Sequence, residues 1–136
     1  MDVLQVPFSI LDQRLLGNVL SLAKFAKIGV VARSVLLKGV LSSRSCYLPS
    51  HLDELKKASE RIRNYYDVSW EELTQIAIRF CLGISEIDTV LLGMNTLNEL
   101  DSAIKAVNAG NLSDADMSAA SDFQITDQNL LNPAFW

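Results

Sequence analysis

The chain has 136 residues, 49% of them hydrophobic, and a net charge of −4 at pH 7. This length suits one domain with its own core, so we treat residues 1–136 as a single domain. The charge comes without any basic cluster, which argues against a nucleic-acid partner, and no apolar run approaches the roughly 20 residues of a membrane span. Cys46 and Cys81 form no C-x-x-C motif and there is one histidine, so no metal site is predicted.

The first predicted element is a strand over Val3–Ile10, and Pro7 marks an edge or an end of it. Its opening, M-D-V-L-Q-V, has no basic region before the apolar residues, so we predict no signal peptide. Unpaired thiols are typical of a reducing compartment, and we therefore expect a cytoplasmic protein. Asp12 then offers an N-cap for a helix of about four turns that ends near Lys27. Its apolar stripe consists of Leu15, Leu16, Val19, Leu20, Ala23 and Ala26.

The next stretch, I-G-V-V-A-R-S-V-L-L-K-G-V-L over residues 28–41, contains the first candidate site. It opens as an apolar, β-branched run, which is typical of a parallel strand buried on both faces. Arg33 and Ser34 interrupt the run, and Lys38-Gly39 provides a turn. Strand, helix and strand in this order predict a right-handed parallel crossover. Because α/β proteins bind ligands at the carboxyl ends of parallel strands, we place the site here.

Two helices are predicted in the middle of the chain. Ser50 caps the first, which has Leu52, Leu55, Ser59 and Ile62 on one face and charged residues on the other. The second opens with the capping box Ser69-Trp70-Glu71-Glu72 and ends at Gly83. We interpret the charged face of the first helix as a solvated surface rather than a binding patch.

A third strand, Ile87–Leu92, ends at Gly93, and a second capping box, Thr96-x-x-Glu99, opens another helix. The residues predicted to face inward on this helix are Leu97, Leu100, Ile104 and Val107, and Gly110 stops it. Ser113 caps a short last helix, and the tail from Gln124 to Trp136 is predicted to be irregular. Gly93 before a helix N-terminus suits an anion, because the free N–H groups and the helix dipole both favour negative charge.

Four segments in order carry a family resemblance: Q-V-P-F-S-I-L-D-Q-R, A-R-S-V-L-L-K-G-V-L, S-W-E-E-L-T-Q-I-A-I-R-F and T-V-L-L-G-M-N-T-L-N-E-L. Together they resemble the C-terminal three β/α units of the aldo-keto reductases. A complete (β/α)8 barrel needs about 250 residues. The predicted fold class is therefore α/β, a partial (β/α)8 TIM barrel with about three parallel strands and flanking helices.

The resemblance implies an NAD(P)H-dependent carbonyl or aldose oxidoreductase whose cofactor lies against this part of the barrel. The implied cofactor-binding residues are Gln5, Arg33, Ser34, Leu36, Gly39, Leu41, Gly93, Asn95 and Glu99. A glutamine satisfied by neighbouring backbone is an equal alternative for Gln5, and Glu99 also suits helix capping. Asn95 stands where the family often has Arg or Ser, so a 2′-phosphate would lose a bidentate partner and NAD remains as open as NADP.

The family's catalytic tyrosine, lysine, aspartate and histidine come from the first half of the barrel, and nothing here corresponds to that half. We therefore predict no catalytic residues in this chain and interpret His51 as a surface residue. Three parallel strands leave two open edges, and the barrel-facing residues Val31, Val35, Val90 and Leu92 would lack neighbours. We expect self-association or a partner chain. The alternative function is a non-catalytic partial-barrel scaffold or interaction module.

Overall fold

Three parallel strands form one sheet in the order β1-β2-β3. They are β1 (Val3–Pro7), β2 (Gly29–Arg33) and β3 (Thr89–Val90) in the computed structural model, which describes residues 1 to 136. The register pairs all five residues of β1 with β2, and Val31 and Ala32 with the two residues of β3. The predicted three parallel strands are confirmed. They are shorter than predicted, and β1 ends at the proline, which has no N–H to continue a ladder.

Six α-helices accompany this sheet, and none is long and apolar enough to cross a membrane. They are α1 (Val19–Phe25), α2 (Asp53–Tyr66), α3 (Trp70–Gly83), α4 (Leu97–Asn108), α5 (Asp114–Ser121) and α6 (Gln128–Leu131). Short 3-10 turns cover Leu37–Gly39, Ser43–Tyr47, Ser50–Leu52 and Pro133–Phe135. The sequence missed α6, since the tail was expected to be irregular. The tail is tied down by the Ile125 N–H, which donates to the Leu11 carbonyl at 2.8 Å.

The first helix begins later than predicted. Asn18, not Asp12, is the N-cap of α1, and its side chain accepts from the N–H of Val19. Asp12 is 3% exposed and instead binds the Arg14 guanidinium with both oxygens, at 2.7 and 2.8 Å. The expected cap is wrong because this carboxylate neutralises a neighbouring arginine, and burial makes that pairing obligatory.

The predicted cap Ser50 is also wrong, because Ser50 lies in a 3-10 turn and the N-cap of α2 is Leu52. The starts of α3 and α4 agree better with the structure. At α3, Glu72 N–H donates to Ser69 Oγ at 3.2 Å and Ser69 N–H donates to Glu72 Oε2 at 2.8 Å, so the capping box is confirmed. At α4, Thr96 is the N-cap, as predicted, and accepts from the Glu99 N–H at 3.2 Å. The Glu99 carboxylate accepts from the N–H of Asn95, one residue before the cap, instead of from the N–H of Thr96. The predicted capping box is therefore only half formed.

The core lies on the helix-covered side of the sheet. Val6, Val30 and Ala32 alternate toward it and are buried, as are the stacked rings of Phe8 and Phe80. The opposite face of the sheet is largely uncovered, and it carries the exposed side chains of Val3, Gln5 and Leu91 with half-buried Val31.

The four residues expected to lack neighbours behave differently from one another. Val35 is buried, so that expectation is wrong for it, while Val31, Val90 and Leu92 are half-buried. Val90 pairs in register with Ala32 and so belongs to the helix-covered face rather than the open one.

Two helices expose apolar stripes. The α4 stripe consists of Leu97, Leu100, Ile104 and Val107, all predicted to be inward but in fact exposed, Leu97 at 78%. The face of α4 that is buried carries Ser102, Ala103 and Ala106, small residues on the helix that packs against α3. The α1 stripe consists of Val19, Leu22 and Phe25, with Phe25 90% exposed.

Candidate functional site

A cleft of about 780 Å³ opens at the carboxyl ends of the strands, between the loops that follow β2 and β3. Six of the nine residues predicted to bind a cofactor line it: Ser34, Leu36, Gly39, Gly93, Asn95 and Glu99. They come together because β2 and β3 are parallel neighbours, so their carboxyl ends meet at one edge of the sheet.

The other three predicted residues lie elsewhere. Gln5 is exposed on the uncovered face of the sheet, beside Val31. Leu41 is buried in the core, and its carbonyl accepts from Thr74 Oγ1 at 3.0 Å. Arg33 lines a smaller neighbouring cleft of about 280 Å³, which shares Ser34 with the first. Their cofactor-binding roles stay predictions.

The loop after β2 is shaped by a run of left-handed backbone. Leu37, Lys38 and Gly39 have φ values of 43°, 55° and 94°. The last of these lies outside the region that residues with a Cβ adopt readily. A Cβ at Gly39 would also stand 3.1 Å from Cδ of Arg44. The glycine therefore allows both the turn itself and the passage of the arginine side chain over it.

Arg44 joins this loop to the start of α4. Its Nη2 donates to Glu99 Oε1 at 2.9 Å, and Glu99 Oε2 accepts from the Asn95 N–H at 2.6 Å. The backbone N–H of Asn95, together with the Arg44 guanidinium, lowers the pKa of the Glu99 carboxyl below its usual value. This pair spans 55 residues of sequence, and no sequence pattern predicts Arg44 as a site residue. The one sequence feature that could have indicated Arg44 is that it is a single basic residue five positions after Gly39.

Most of the cleft wall was not predicted from the sequence, including four residues that come from three different parts of the chain. Trp70 and Thr74 come from α3, Lys38 from the loop and Pro133 from the tail. The guanidinium carbon of Arg63 lies 5.0 Å from the centre of the Trp70 ring, and this cation–π contact helps to hold the indole in place. An aromatic wall, a glycine loop and a helix N-terminus together can bind a ligand that has both a flat ring and anionic groups.

The smaller cleft lies at the carboxyl ends of β1 and β2. Arg33 lines it together with the Asp12–Arg14 ion pair, and Asn132 and Phe135 of the tail form another wall. It is therefore a polar cavity that the last residues of the chain partly cover.

Neither cleft is lined by a tyrosine or a histidine. Tyr47 and His51 are exposed in 3-10 turns and line neither cleft. The hydroxyl of Tyr66 donates to the Asp116 carbonyl at 2.9 Å, and burial raises its pKa to about 12. Burial also raises the pKa of the Cys81 thiol. No three His, Cys, Asp or Glu side chains lie close enough together to hold a metal ion.

Comparison with known proteins gives the family. The model of the Aldo/keto reductase family matches residues 1–124, whereas no curated protein sequence matches the chain significantly. Aldo-keto reductase AKR11C1 from Bacillus halodurans, in its apo and holo forms, is 23% identical, with a TM-score of 0.76 over 93% of this chain and 44% of that chain. A thermostable aldo-keto reductase, Tm1743, solved with the inhibitor epalrestat, is 19% identical, with a TM-score of 0.62 over 89% of this chain and 39% of that one. This chain thus spans less than half the length of these structures, and it belongs to the aldo-keto reductase family.

Proposed function

We propose that the chain is the C-terminal, cofactor-binding part of an NAD(P)H-dependent carbonyl or aldose oxidoreductase, and that it is not catalytic alone. The observation that carries this proposal is the 780 Å³ cleft, which six predicted cofactor residues line. Membership of the family supports oxidoreductase chemistry for the whole enzyme, and the chain's own contribution is to hold the dinucleotide.

The shape and polarity of the cleft suit a dinucleotide. A pyrophosphate needs hydrogen-bond donors, and the loop supplies the hydroxyls of Ser34 and Ser43 and the ammonium group of Lys38. The N–H of Gly39 is not among them, because it donates to the Leu36 carbonyl at 2.9 Å within the turn. The Trp70 ring offers a flat surface on which an aromatic heterocycle can stack. Gln5, at the uncovered face of the sheet, remains available for the carboxamide of a nicotinamide that extends beyond the cleft.

The test is a titration of the 136-residue chain with NADH and NADPH. We expect saturable quenching of tryptophan fluorescence, with energy transfer to the reduced nicotinamide, because Trp70 lines the cleft. Trp70→Phe should reduce this signal while calorimetry still detects binding. Trp136 should give the signal that remains, because its ring centre lies 5.8 Å from Nζ of Lys38, which also lines the cleft. We expect no carbonyl reduction by this chain alone. Absence of binding by both methods would refute the proposal, and turnover at rates typical of enzymes would refute the absence of catalytic residues.

The exposed apolar surfaces support a partner for this fold, which we treat as a single domain. The outer edges of β1 and β3 are unpaired, one face of the sheet is uncovered, and the α1 and α4 stripes lie on exposed helix surfaces. We propose that further β/α units cover these surfaces, supplied by another part of the same gene product, by a partner chain, or by a second copy.

Light scattering with hydrogen exchange tests the partner proposal. The 136-residue chain alone should self-associate at micromolar concentrations, because Leu97, Ile104 and Phe25 each expose apolar area. Leu97→Glu combined with Ile104→Glu should shift it toward the monomer, whereas Lys57→Glu, on the exposed face of α2, should not. A tight monomer in which the β1 and β3 amides are well protected would contradict the proposal.

The alternative function is a non-catalytic scaffold or interaction module, which the exposed stripes favour. The cofactor titration separates the two functions, since a pure scaffold should bind neither dinucleotide. A cytoplasmic location also remains a proposal, supported by the two unpaired cysteines.

A further inference from the structure

The ion pair between Arg44 and Glu99 bears on which dinucleotide the cleft accepts. Both side chains line the cleft, and their 2.9 Å hydrogen bond is made between the loop after β2 and the start of α4. The guanidinium is the cleft's only arginine, and a guanidinium is the group best suited to bind a phosphate with two hydrogen bonds. Here that group is already bound to a carboxylate of the chain itself.

The other charges of the cleft do not replace it. Lys38 is the second cation, and its Nζ lies 5.8 Å from the centre of the Trp136 ring. Glu71 is the second carboxylate, and its oxygen is 3.9 Å from Lys105 Nζ. The lining therefore contains two cations and two carboxylates, which leaves no net positive charge. A dinucleotide pyrophosphate already needs the cations, and a 2′-phosphate would add about 1.5 to 2 further negative charges.

Two of the N–H groups at the start of α4 are also engaged. The N–H of Asn95 donates to Glu99 Oε2 at 2.6 Å, and the N–H of Glu99 donates to Thr96 Oγ1 at 3.2 Å. A helix N-terminus normally offers such groups to an anion. At this one, an anion that approached the N–H of Asn95 would meet the negative charge of the Glu99 carboxylate.

We propose that this cleft selects NAD(H) over NADP(H), with Glu99 as the specificity-determining residue and Arg44 as the residue that positions it. A carboxylate can accept a hydrogen bond from a ribose 2′-hydroxyl and repels a 2′-phosphate, which is how acidic residues favour NAD in other dinucleotide sites. This inference rests on the proposed function, because it assumes that the cleft holds a dinucleotide.

The experiment compares the dissociation constants of the 136-residue chain for NADH and NADPH, measured by calorimetry at one fixed ionic strength. The unaltered chain should bind NADH at least tenfold more tightly. Glu99→Gln keeps the shape of the side chain but removes its charge and releases the arginine. It should lower the preference at least tenfold, mainly through tighter binding of NADPH.

Two further variants make the test specific. Asp101→Asn is the matched control: it removes one negative charge from an exposed position on α4 that does not line the cleft, and the preference should stay within twofold. Glu99→Gln combined with Arg44→Gln should lose the gain in NADPH affinity, because no guanidinium would remain to bind the 2′-phosphate.

The outcomes separate this inference from the proposed function. Equal or tighter binding of NADPH by the unaltered chain would overturn the inference and leave the proposed function standing. Failure of both dinucleotides to bind would overturn both. A Glu99→Gln preference equal to that of the unaltered chain would refute the assigned role of Glu99. If that variant does not fold by circular dichroism, the ratio for the unaltered chain still decides the direction of selectivity.

Discussion

Replacing Phe80 with alanine should lower the free energy of unfolding by about 3–5 kcal/mol. Phe80 on α3 is fully buried, and its ring stacks on that of Phe8, 6.1 Å away between ring centres and 9° from parallel. Phe8 directly follows β1, and its N–H donates to the carbonyl of Arg33 at 3.0 Å. The substitution would therefore leave a cavity where α3 meets the carboxyl ends of the first two strands.

Urea denaturation followed by circular dichroism measures this effect at a protein concentration below that of self-association, with Phe25→Ala as the matched control. Phe25 is 90% exposed on α1, so the same change there should alter stability by less than about 0.5 kcal/mol. Because small domains are stable by only about 5–15 kcal/mol, the first variant should lose a large part of its stability. Equal losses of unfolding free energy in both variants would mean that the α1 stripe is buried in solution. They would also mean that the stacked pair of Phe8 and Phe80 does not stabilise the chain more than other apolar contacts do.

Gly39→Ala should weaken dinucleotide binding at least tenfold and also destabilise the chain. A φ of 94° is costly for alanine, by about 1 kcal/mol or more. The added Cβ would also lie 3.1 Å from Cδ and 3.2 Å from Cβ of Arg44. The arginine side chain must then shift by a few tenths of an ångström, or the loop must change its course along the cleft.

Gly17→Ala separates backbone strain from the contact with Arg44. Gly17 also has a positive φ, of 81°, but nothing lies within 4 Å of a Cβ built there. Both variants should be less stable than the unaltered chain, and only Gly39→Ala should lose binding in calorimetric titrations. Unchanged binding in Gly39→Ala would contradict the role that we give to this loop.

Helix α4 shows how far sequence patterns predict this fold. The spacing of Leu97, Leu100, Ile104 and Val107 correctly indicates an amphipathic helix, and Thr96 correctly marks its start. The direction of the apolar face is wrong, because the face in contact with α3 is made of Ser102, Ala103 and Ala106. Periodicity identifies which residues share a face but cannot say what that face meets.

The residues of the candidate site also fall into those that the sequence predicts and those that it does not. Ser34, Gly39, Gly93 and Asn95 could be predicted because each follows a parallel strand, and such positions meet at one edge. Arg44 could not, since its role depends on a contact with a residue 55 positions away. The position of Pro133 in the cleft wall could not be predicted either, because it lies in the tail that the sequence predicts to be irregular.

The unequal lengths of the outer strands also affect how the chain behaves at high concentration. An exposed strand edge is a template for cross-β aggregation, and the hazard grows with the length of the unpaired strand. On one side β3 offers only Thr89 and Val90, whereas β1 on the other side runs for five residues and stops at a proline. Amyloid-like growth should therefore start at β1. The single substitution Val3→Lys should reduce it, because a charge on an exposed edge strand opposes pairing with another chain.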